Sequence, residues 1–415
     1  MRASSWNRSG AFCPKAGKTV DYENAAKLVA KLGETFGSTD GLRCARAPGR
    51  VNLIGEHTDY NGGFVMPMAV DREVRVLFRP ADAGPVRIWS ENYGEWDEFD
   101  LDAIERNPRQ PWSNYVRGVA WSLKDAGLEL QPVEGIVYGD LPIGAGLSSS
   151  AAIEVASALA LCPAARGELP RKELALLCQR AENKFVGVNC GIMDQFVCLH
   201  AEDERAVLID CRSLDYELVP LDTSRVRVIV CNTMVHHELG SSAYNERRAS
   251  CEKAAAAINA RRFPESPTGG VKQLRDVTSV MLQECRDALD GVSYRRARHV
   301  VSENERAVLA RRALGEGEYQ AFGKLMNESH DSLRDDYEVS CRELDLMVEL
   351  ARKQKGCLGA RMTGAGFGGC TVNLVRADAA EPFKRAIVRG YKEATKLESQ
   401  VFEFSAVRGA RVESC

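Results

Sequence analysis

The chain has 415 residues, which suits two or three domains, and two compact lobes fit this length best. Its residues are 45% hydrophobic and 27% charged, as in a globular protein with a full core. The net charge of −3 disfavours a nucleic acid or an anionic membrane as a partner, because such partners favour a basic protein face.

Hydrophobic patterns predict helices and strands that intermix along the whole chain. In chain order they predict a helix at Asp21–Phe36, strands at Ala47–Leu53 and Val70–Phe78, a helix at Asn114–Ala126, a strand at Gly135–Tyr138, helices at Ser148–Leu161 and Glu173–Phe185, strands at Val207–Ile209 and Val226–Val230, helical segments from Val271 to Lys355, and strands at Thr371–Leu374 and Val401–Phe404. This mixture predicts an α+β or mixed α/β class. We expect a peripheral N-terminal extension over 1–20, a first lobe over 21–215 and a second lobe over 216–415.

The cysteines and the N-terminus indicate a cytoplasmic protein. The 14 cysteines are scattered and form no C-x-x-C pair, which predicts buried thiols in a reducing cytoplasm. Residues 1–18 are polar and lack the apolar core of a signal peptide. No apolar stretch reaches the roughly 18 residues that cross a bilayer, so we expect no membrane association.

The densest polar segment, Gly49–Gly63, begins within the first predicted strand, which carries Arg50. A turn then presents Glu56, His57 and Asp59 close together. Carboxylates accept hydrogen bonds and imidazole can donate or accept, which suits the hydroxyl groups of a sugar. The structural alternative is a hydrogen-bonded turn with a capping aspartate.

A glycine- and serine-rich segment, Leu141–Ala152, stands between a predicted strand and a predicted helix. Gly144 and Gly146 allow the backbone to approach a ligand, and the serines begin the helix. Hydroxyls and N–H groups at a helix start form an anion site, which suits a triphosphate. The segment is not a Walker A loop because no lysine follows the glycines. The structural alternative is a serine N-cap on an ordinary helix.

A second glycine-rich segment contains Gly364-x-Gly366-x-x-Gly369. This spacing matches the dinucleotide fingerprint, but that fingerprint requires a helix afterwards, whereas Thr371–Leu374 has the pattern of a strand. We therefore reject a dinucleotide-binding fold and expect a loop packed close to a ligand or to another backbone.

Asp194 is the candidate catalytic base. It lies among apolar residues, where a carboxylate needs a partner, and Arg50 is the expected one. The structural alternative is an N-cap or a structural salt bridge. Glu182 lies in a polar helical segment, for which a solvated face is the ordinary interpretation.

These segments resemble the galactokinases of the GHMP small-molecule kinase family. The three motifs occur in the family's order, and the likeness extends from about Ala47 to the last strands. Three further stretches are similar: Leu208–Leu214, Arg298–Val301 and Ser332–Cys341. The resemblance implies a two-lobed GHMP kinase fold with the active site between the lobes. It also implies transfer of a phosphoryl group from ATP to the C1 hydroxyl of α-D-galactose.

The resemblance assigns roles to individual residues. It implies that Asp194 is the catalytic base and that Arg50 keeps it ionised and stabilises charge on the phosphoryl group. The implied sugar-binding residues, besides Arg50 and Asp194, are Glu56, His57, Asp59 and Tyr244. The implied ATP-binding residues are Gly144, Gly146, Ser148, Ser149, Trp112 and Tyr115. Ser150 and Glu182 are the implied Mg²⁺ ligands, and oxygen ligands suit that ion.

Two alternative functions stay open at this point. One is a kinase for a related sugar, such as N-acetylgalactosamine or arabinose. The other is a non-catalytic galactose sensor, which is disfavoured because Ser148–Ala152, Asp194 and Arg50 are all intact. Galactose and ATP are the expected partners of a monomer that needs no obligate protein partner.

Overall fold

The structure is a computed structural model that describes residues 25–414, except 38, 143–145, 237–239 and 266–268. The chain forms two compact units. The helices are α1 (Ala25–Phe36), α2 (Ser113–Asp125), α3 (Ser149–Leu161), α4 (Arg171–Arg180), α5 (Met193–His200), α6 (Gly240–Arg262), α7 (Ser279–Glu284), α8 (Gly291–Gly315), α9 (Tyr319–Ser332), α10 (Arg342–Arg352) and α11 (Ala380–Thr395). The strands are β1 (Arg43–Asn52), β2 (Phe64–Val65), β3 (Pro67–Pro80), β4 (Val86–Ser90), β5 (Glu95–Phe99), β6 (Val133–Gly139), β7 (Arg205–Asp210), β8 (Tyr216–Pro220), β9 (Val226–His236), β10 (Cys357–Thr363), β11 (Gly368–Arg376), β12 (Gln400–Phe404) and β13 (Arg411–Ser414).

The first unit contains the described residues of 1–50, 69–202 and 407–415. Its sheet has the strand order β13-β1-β3-β6-β4-β5. β4 runs parallel to β6, whereas β1 pairs antiparallel with β13 and β3 with β6. Helix α1 packs Leu32 into a cluster that includes Leu77 of β3.

Helix α3 is a core helix of the first unit. Ala151, Val155 and Leu161 are buried, and so are the polar residues Glu154 and Ser157. A helix that is apolar on nearly all sides has to be surrounded by other elements, and α2, α4 and α5 pack against it. This position fixes the start of α3, which carries the predicted serine cluster.

The second unit contains residues 51–68 and the described residues of 203–406. One sheet has the order β10-β11-β9-β12 and a smaller one has the order β2-β7-β8. Helices α10 and α11 form a core with Met347 and Phe383, while α6 and α8 contribute to another core that includes Val300.

The mixed α/β class and the predicted strands and helices are confirmed, with ends shifted by a few residues. The predicted helix from Asp21 is present from Ala25, and residues 21–24 lie outside the described residues, as does the predicted 1–20 extension. β11 follows the second glycine-rich loop as a strand, which confirms the rejection of a dinucleotide fold. Several elements had no sequence prediction: β2, β4, β5, β8, β10, β13, α5, α6 and α11.

The compact units differ from the predicted lobes because each unit combines segments that are distant in sequence. Residues 51–68 belong to the second unit, and β13 completes the sheet of the first. The division of the lobes near Asp215 stays a prediction. Across the described residues, no helix is both long enough and apolar enough to cross a bilayer.

Candidate active site

In the first unit, the end of β1 brings Arg50 to Asp194 in the first turn of α5. Arg50 Nε donates to Asp194 Oδ1 at 2.7 Å, and Arg50 Nη2 donates to Asp194 Oδ2 at 2.8 Å. A bidentate pair of this kind fixes both side chains, and it confirms the predicted partnership. The side chain of Asp194 is 22% exposed while that of Arg50 is 9% exposed, so the carboxylate stays accessible to a ligand.

Ser148 precedes α3 in a left-handed backbone conformation, with φ +60° and ψ +46°. Its hydroxyl does not cap the helix but donates to Asp194 Oδ2. The alternative of a serine N-cap is therefore wrong. A non-glycine residue in this conformation costs about 1–3 kcal/mol, and such strain is concentrated at functional sites.

Of the two predicted glycines in this loop, Gly144 lies outside the described residues. Gly146 is described, has φ +70°, and its carbonyl oxygen accepts from Arg50 Nη1 at 2.6 Å. Ser149 is the first residue of α3. Because Ser148 does not cap this helix, the first-turn N–H groups can interact with an anion.

Glu182 lies in a π-helical turn, Ala181–Val186, that continues α4. Its Oε2 accepts from Gln195 Nε2 at 2.7 Å and from Cys190 Sγ at 3.2 Å. Burial raises the pKa of Glu182 to about 7, although hydrogen bonds from Cys190, Ser150 and Gln195 act in the opposite direction. Glu182 is buried, so the ordinary interpretation of a solvated helix face is wrong.

Glu154 of α3 is a buried carboxylate that the sequence analysis missed. Its Oε2 accepts from Gln195 Nε2 at 2.9 Å, so one amide group bridges Glu154 and Glu182. Burial raises the pKa of Glu154, and the charge of Glu182 raises it further. Oε1 of Glu154 is buried without a hydrogen-bond partner among the described residues. A glutamate inside so apolar a helix was the available signal, because a buried carboxylate needs a partner.

Trp112 and Tyr115, predicted for ATP, line a pocket with Ser149 and Ser150 at the start of α3. Tyr93 lies in the same pocket, and its ring is parallel to that of Trp112, with 6.2 Å between centroids and 6° between planes. Tyr93 was missed because it lies in the turn between β4 and β5, which had no sequence prediction.

In the second unit, residues 55–64, here called the signature turn, carry three predicted sugar ligands. Glu56 is buried, and its Oε2 accepts from Asn52 Nδ2 at 2.9 Å. Its Oε1 accepts from Thr363 Oγ1 at 3.0 Å and lies 3.2 Å from Nη2 of the buried Arg361. Asp59 begins a half-buried 3₁₀ turn, Asp59–Asn61.

His57 lies in an aromatic cluster with Tyr60, Tyr244 and Tyr337, at ring-centroid distances of 4.8–5.9 Å. Its Nδ1 is 2.8 Å from Tyr60 Oη and its Nε2 is 3.2 Å from the Ala365 carbonyl oxygen. A carbonyl only accepts, so Nε2 carries the proton and Tyr60 donates to Nδ1. Burial lowers the pKa of His57 to about 4, so the ring is neutral at pH 7.

The cluster contains residues that the sequence analysis did not assign. Tyr337 lies within Ser332–Cys341, a stretch that was recognised only as similar to the family. Tyr60 follows Asp59 directly, but a tyrosine next to a turn is too common to carry a signal. Arg361 was missed because a lone arginine near a strand usually faces solvent, whereas this one is fully buried.

The second glycine-rich loop meets the signature turn. The Gly364 N–H donates to Glu56 Oε1 at 2.6 Å. At Gly366, with φ +85°, a Cβ atom would collide with the carbonyl oxygen of Val339. The expectation of a loop packed close to another backbone is confirmed.

Within the described residues, no group of three or more His, Cys, Asp or Glu side chains could hold a metal ion by itself. None of the cysteines in the described ranges forms a disulfide bond.

Three family profiles match the chain. "Galactokinase galactose-binding signature" matches residues 30–80, "GHMP kinases N terminal domain" matches 114–202, and "GHMP kinases C terminal" matches 310–393. The first match includes the whole of β1 and the whole signature turn. The second includes α3, Glu182 and Asp194.

Individual proteins are similar over most of the chain. A galactokinase of Chloroflexus aggregans is 50% identical over 88% of this chain and 91% of its own. A galactokinase of Roseiflexus sp. is 47% identical over 92% of this chain and 96% of its own. The crystal structure of Lactococcus lactis galactokinase complexed with galactose is 38% identical, with a TM-score of 0.87, and the match covers 93% of this chain and 98% of that one.

Proposed function

The chain belongs to the galactokinases of the GHMP kinase family, and from this membership we infer its reaction and propose the residues that perform it. It phosphorylates the C1 hydroxyl of α-D-galactose with ATP, which yields galactose 1-phosphate and ADP. The sensor and the kinases for related sugars are not favoured, since the similar proteins are galactokinases by name.

The observation that carries the catalytic assignment is the bidentate contact between Arg50 and Asp194. Asp194 takes the proton from the C1 hydroxyl, and Arg50 keeps the carboxylate ionised and stabilises charge on the transferred phosphoryl group. General-base help contributes about 10²–10⁴-fold to a rate. Ser148 donates to the same carboxylate and orients it.

ATP binding is assigned to the pocket and to the start of α3. The rings of Trp112 and Tyr115 suit the flat, apolar adenine base. Gly146, Ser148 and Ser149 suit the phosphates, because their backbone lies at a helix N-terminus, where the helix dipole attracts anions. Gly144 is assigned to the same role from the sequence alone.

Ser150 and Glu182 suit Mg²⁺ by the chemistry of their donor atoms, a hydroxyl and a carboxylate. Burial raises the pKa of Glu182 to about 7. A cation bound nearby would lower this pKa again, because its positive charge favours the ionised carboxylate. The two residues would hold the ion together with phosphate oxygens. When bound, Mg²⁺ supplies charge neutralisation on the phosphates.

Galactose is assigned to Glu56, His57, Asp59 and Tyr244, besides Arg50 and Asp194. Asp59 accepts from the hydroxyls near C3 and C4, which would exclude glucose, the C4 epimer. Both ring nitrogens of His57 already have partners. To bind a sugar hydroxyl, His57 therefore gives up its longer hydrogen bond, in which Nε2 donates to the Ala365 carbonyl oxygen, and donates to the hydroxyl instead.

We also propose that the protein is a cytoplasmic monomer. The support for the compartment is the largely buried set of cysteines, which form no disulfide bonds among the described residues, as expected in a reducing environment.

A sugar panel with purified protein and Mg·ATP tests the proposed function. ADP release is measured with galactose, glucose, N-acetylgalactosamine and arabinose. We expect kcat/KM for galactose to exceed that for glucose by about 10²-fold or more, because the missing hydrogen bond leaves a buried polar group unpaired. Equal values for these two epimers would contradict the assignment of Asp59. A higher value for another sugar would replace galactose as the substrate.

A further inference from the structure

One face of α8 holds the backbone of the signature turn. The Gly55 N–H donates to Glu303 Oε1 at 2.9 Å, and the Phe64 N–H donates to Asn304 Oδ1 at 3.0 Å. These bonds lie at the two ends of the turn. Glu303 and Asn304 are adjacent in α8, so a single helical turn fixes both ends of a segment ten residues long.

A third contact lies between these two ends. His299 Nε2 is 3.1 Å from the Glu56 carbonyl oxygen, and its Nδ1 is 3.0 Å from Ser332 Oγ. The carbonyl can only accept, so the proton of the His299 ring lies on Nε2. His299 is four residues before Glu303 and shares its helix face. Three side chains of α8 thus bond three backbone groups of the signature turn.

Glu303 itself is rigidly held. It is fully buried, and its carboxylate also accepts from Ser329 Oγ at 2.6 Å and from Arg306 Nε at 2.7 Å. Burial opposes ionisation, but the charges of Arg306 and Arg361 and the hydrogen bond from Ser329 lower the pKa of Glu303 to about 2. The acceptor presented to Gly55 is therefore a fixed carboxylate at every physiological pH.

The turn is tightly folded and lies close against this face. Gly55 has φ +93°, and a Cβ atom there would lie 2.5 Å from the Phe64 carbonyl oxygen. At Gly63, a Cβ atom would collide with Asn304 Oδ1. Both glycines let the chain fold back tightly against α8.

We infer that Glu303 is a positioning residue for galactose binding, supported by His299 and Asn304. It fixes the backbone of the signature turn and thereby the direction of the sugar-binding side chains. This inference rests on the proposed function, since it takes the signature turn to be part of the sugar site.

The test is Glu303→Gln, which keeps the shape and removes the charge. We expect KM for galactose, and the galactose Kd from calorimetry, to rise about tenfold, because the neutral amide lacks the charge that strengthens the hydrogen bonds from Gly55 and Arg306. KM for ATP and kcat should stay within about twofold. The matched control is Glu305→Gln, on the exposed side of the same helix, which should leave every parameter unchanged.

A folded Glu303→Gln variant with a wild-type galactose KM would overturn the inference, and so would an equal rise of both KM values, which indicates general damage. If this variant does not fold, Asn304→Ala provides the test, because Asn304 is only half-buried. A selective rise in the galactose KM supports the inference, and an unchanged value overturns it. A wild-type protein that fails to phosphorylate galactose would instead refute the proposed function.

Discussion

Asp194 combines a bidentate ion pair with partial exposure of its side chain, as a general base that meets a substrate hydroxyl requires. Arg50 and Ser148 occupy both carboxylate oxygens from one side. The partial exposure of its side chain leaves the Asp194 carboxylate accessible to a hydroxyl group.

We predict that Asp194→Asn lowers kcat by at least about 10²-fold, because the amide cannot accept the proton. Galactose Kd should stay close to that of the wild type, since Asn retains the shape of Asp. Initial rates with Mg·ATP and calorimetric titration with galactose measure the two quantities. Asp203→Asn, at an exposed residue, is the control. Turnover within tenfold of the wild type would remove Asp194 from the role of base.

Some contacts of the active site could be predicted from single residues and their neighbours in the sequence, whereas others could not. The Arg50–Asp194 pair could be predicted, because an aspartate among apolar residues needs a cationic partner. Glu154 and Gln195 could not be assigned, since their pairing depends on how α3, α5 and the π-helical turn pack together. Sequence periodicity reports which face of a helix is apolar, but not which helix it meets.

At the scale of elements, the signature turn depends on a left-handed glycine. Gly55 has φ +93° and no space for a Cβ atom. Gly317 is a matched position in the second unit, with φ +72° and only the end of the flexible Arg225 side chain nearby, at 3.1 Å. Both positions have a left-handed backbone conformation, but only at Gly55 would a Cβ atom overlap backbone atoms.

We predict that Gly317→Ala lowers the free energy of unfolding by about 1–2 kcal/mol, the cost of a left-handed alanine. Gly55→Ala should lose a further ~1–3 kcal/mol, because its new methyl group overlaps backbone atoms. The galactose KM should rise only in Gly55→Ala. Urea unfolding and steady-state kinetics on both variants test this. Equal losses of stability in the two variants would show that the tight fold of the turn is unimportant.

The elements that sequence patterns predicted are the longer ones that are rich in buried apolar residues, such as β3 and α3. Strands β4 and β5 were missed because each has only five residues, too few for the alternation to stand out. β13 was missed for another reason. It has only four residues, and its partner β1 is more than 350 residues earlier in the chain. No local sequence pattern therefore predicts this pairing.

At the scale of the whole molecule, burial acts in one direction on four histidines of the part of the chain that the structure describes. It lowers the pKa of His57 to about 4 and of His299 to about 3, and it also lowers the pKa of His200 and His330. The folded state therefore protonates these rings at a lower pH than the unfolded chain, whose histidines take up protons near pH 6.5. Histidine burial thus makes stability fall as the pH drops below 6.5. Glu154 and Glu182 act in the opposite direction, because their folded-state pKa values are raised.

Comparison of the wild type with a His299 variant separates the contribution of this histidine to the pH dependence of stability from those of the other groups. At pH 7, His299→Gln should be less stable than the wild type, because it perturbs the hydrogen bond to Glu56. Between pH 6.5 and 4.5 the difference should shrink by up to about 1.4 kcal/mol per pH unit, since only the wild type carries the penalty of a neutral buried ring. Urea midpoints at constant ionic strength measure the gap. A gap that widens on acidification would contradict the lowered pKa of His299.

The pairing of β1 with β13 has a consequence for synthesis on the ribosome. β1 emerges early, but the strand that covers its edge is translated only after the whole second unit. Until β13 has been synthesised, β1 is therefore an unpaired edge strand of the first unit. The free backbone N–H and C=O groups of an edge strand can pair with other chains. A truncation that removes β13 would make this transient edge permanent.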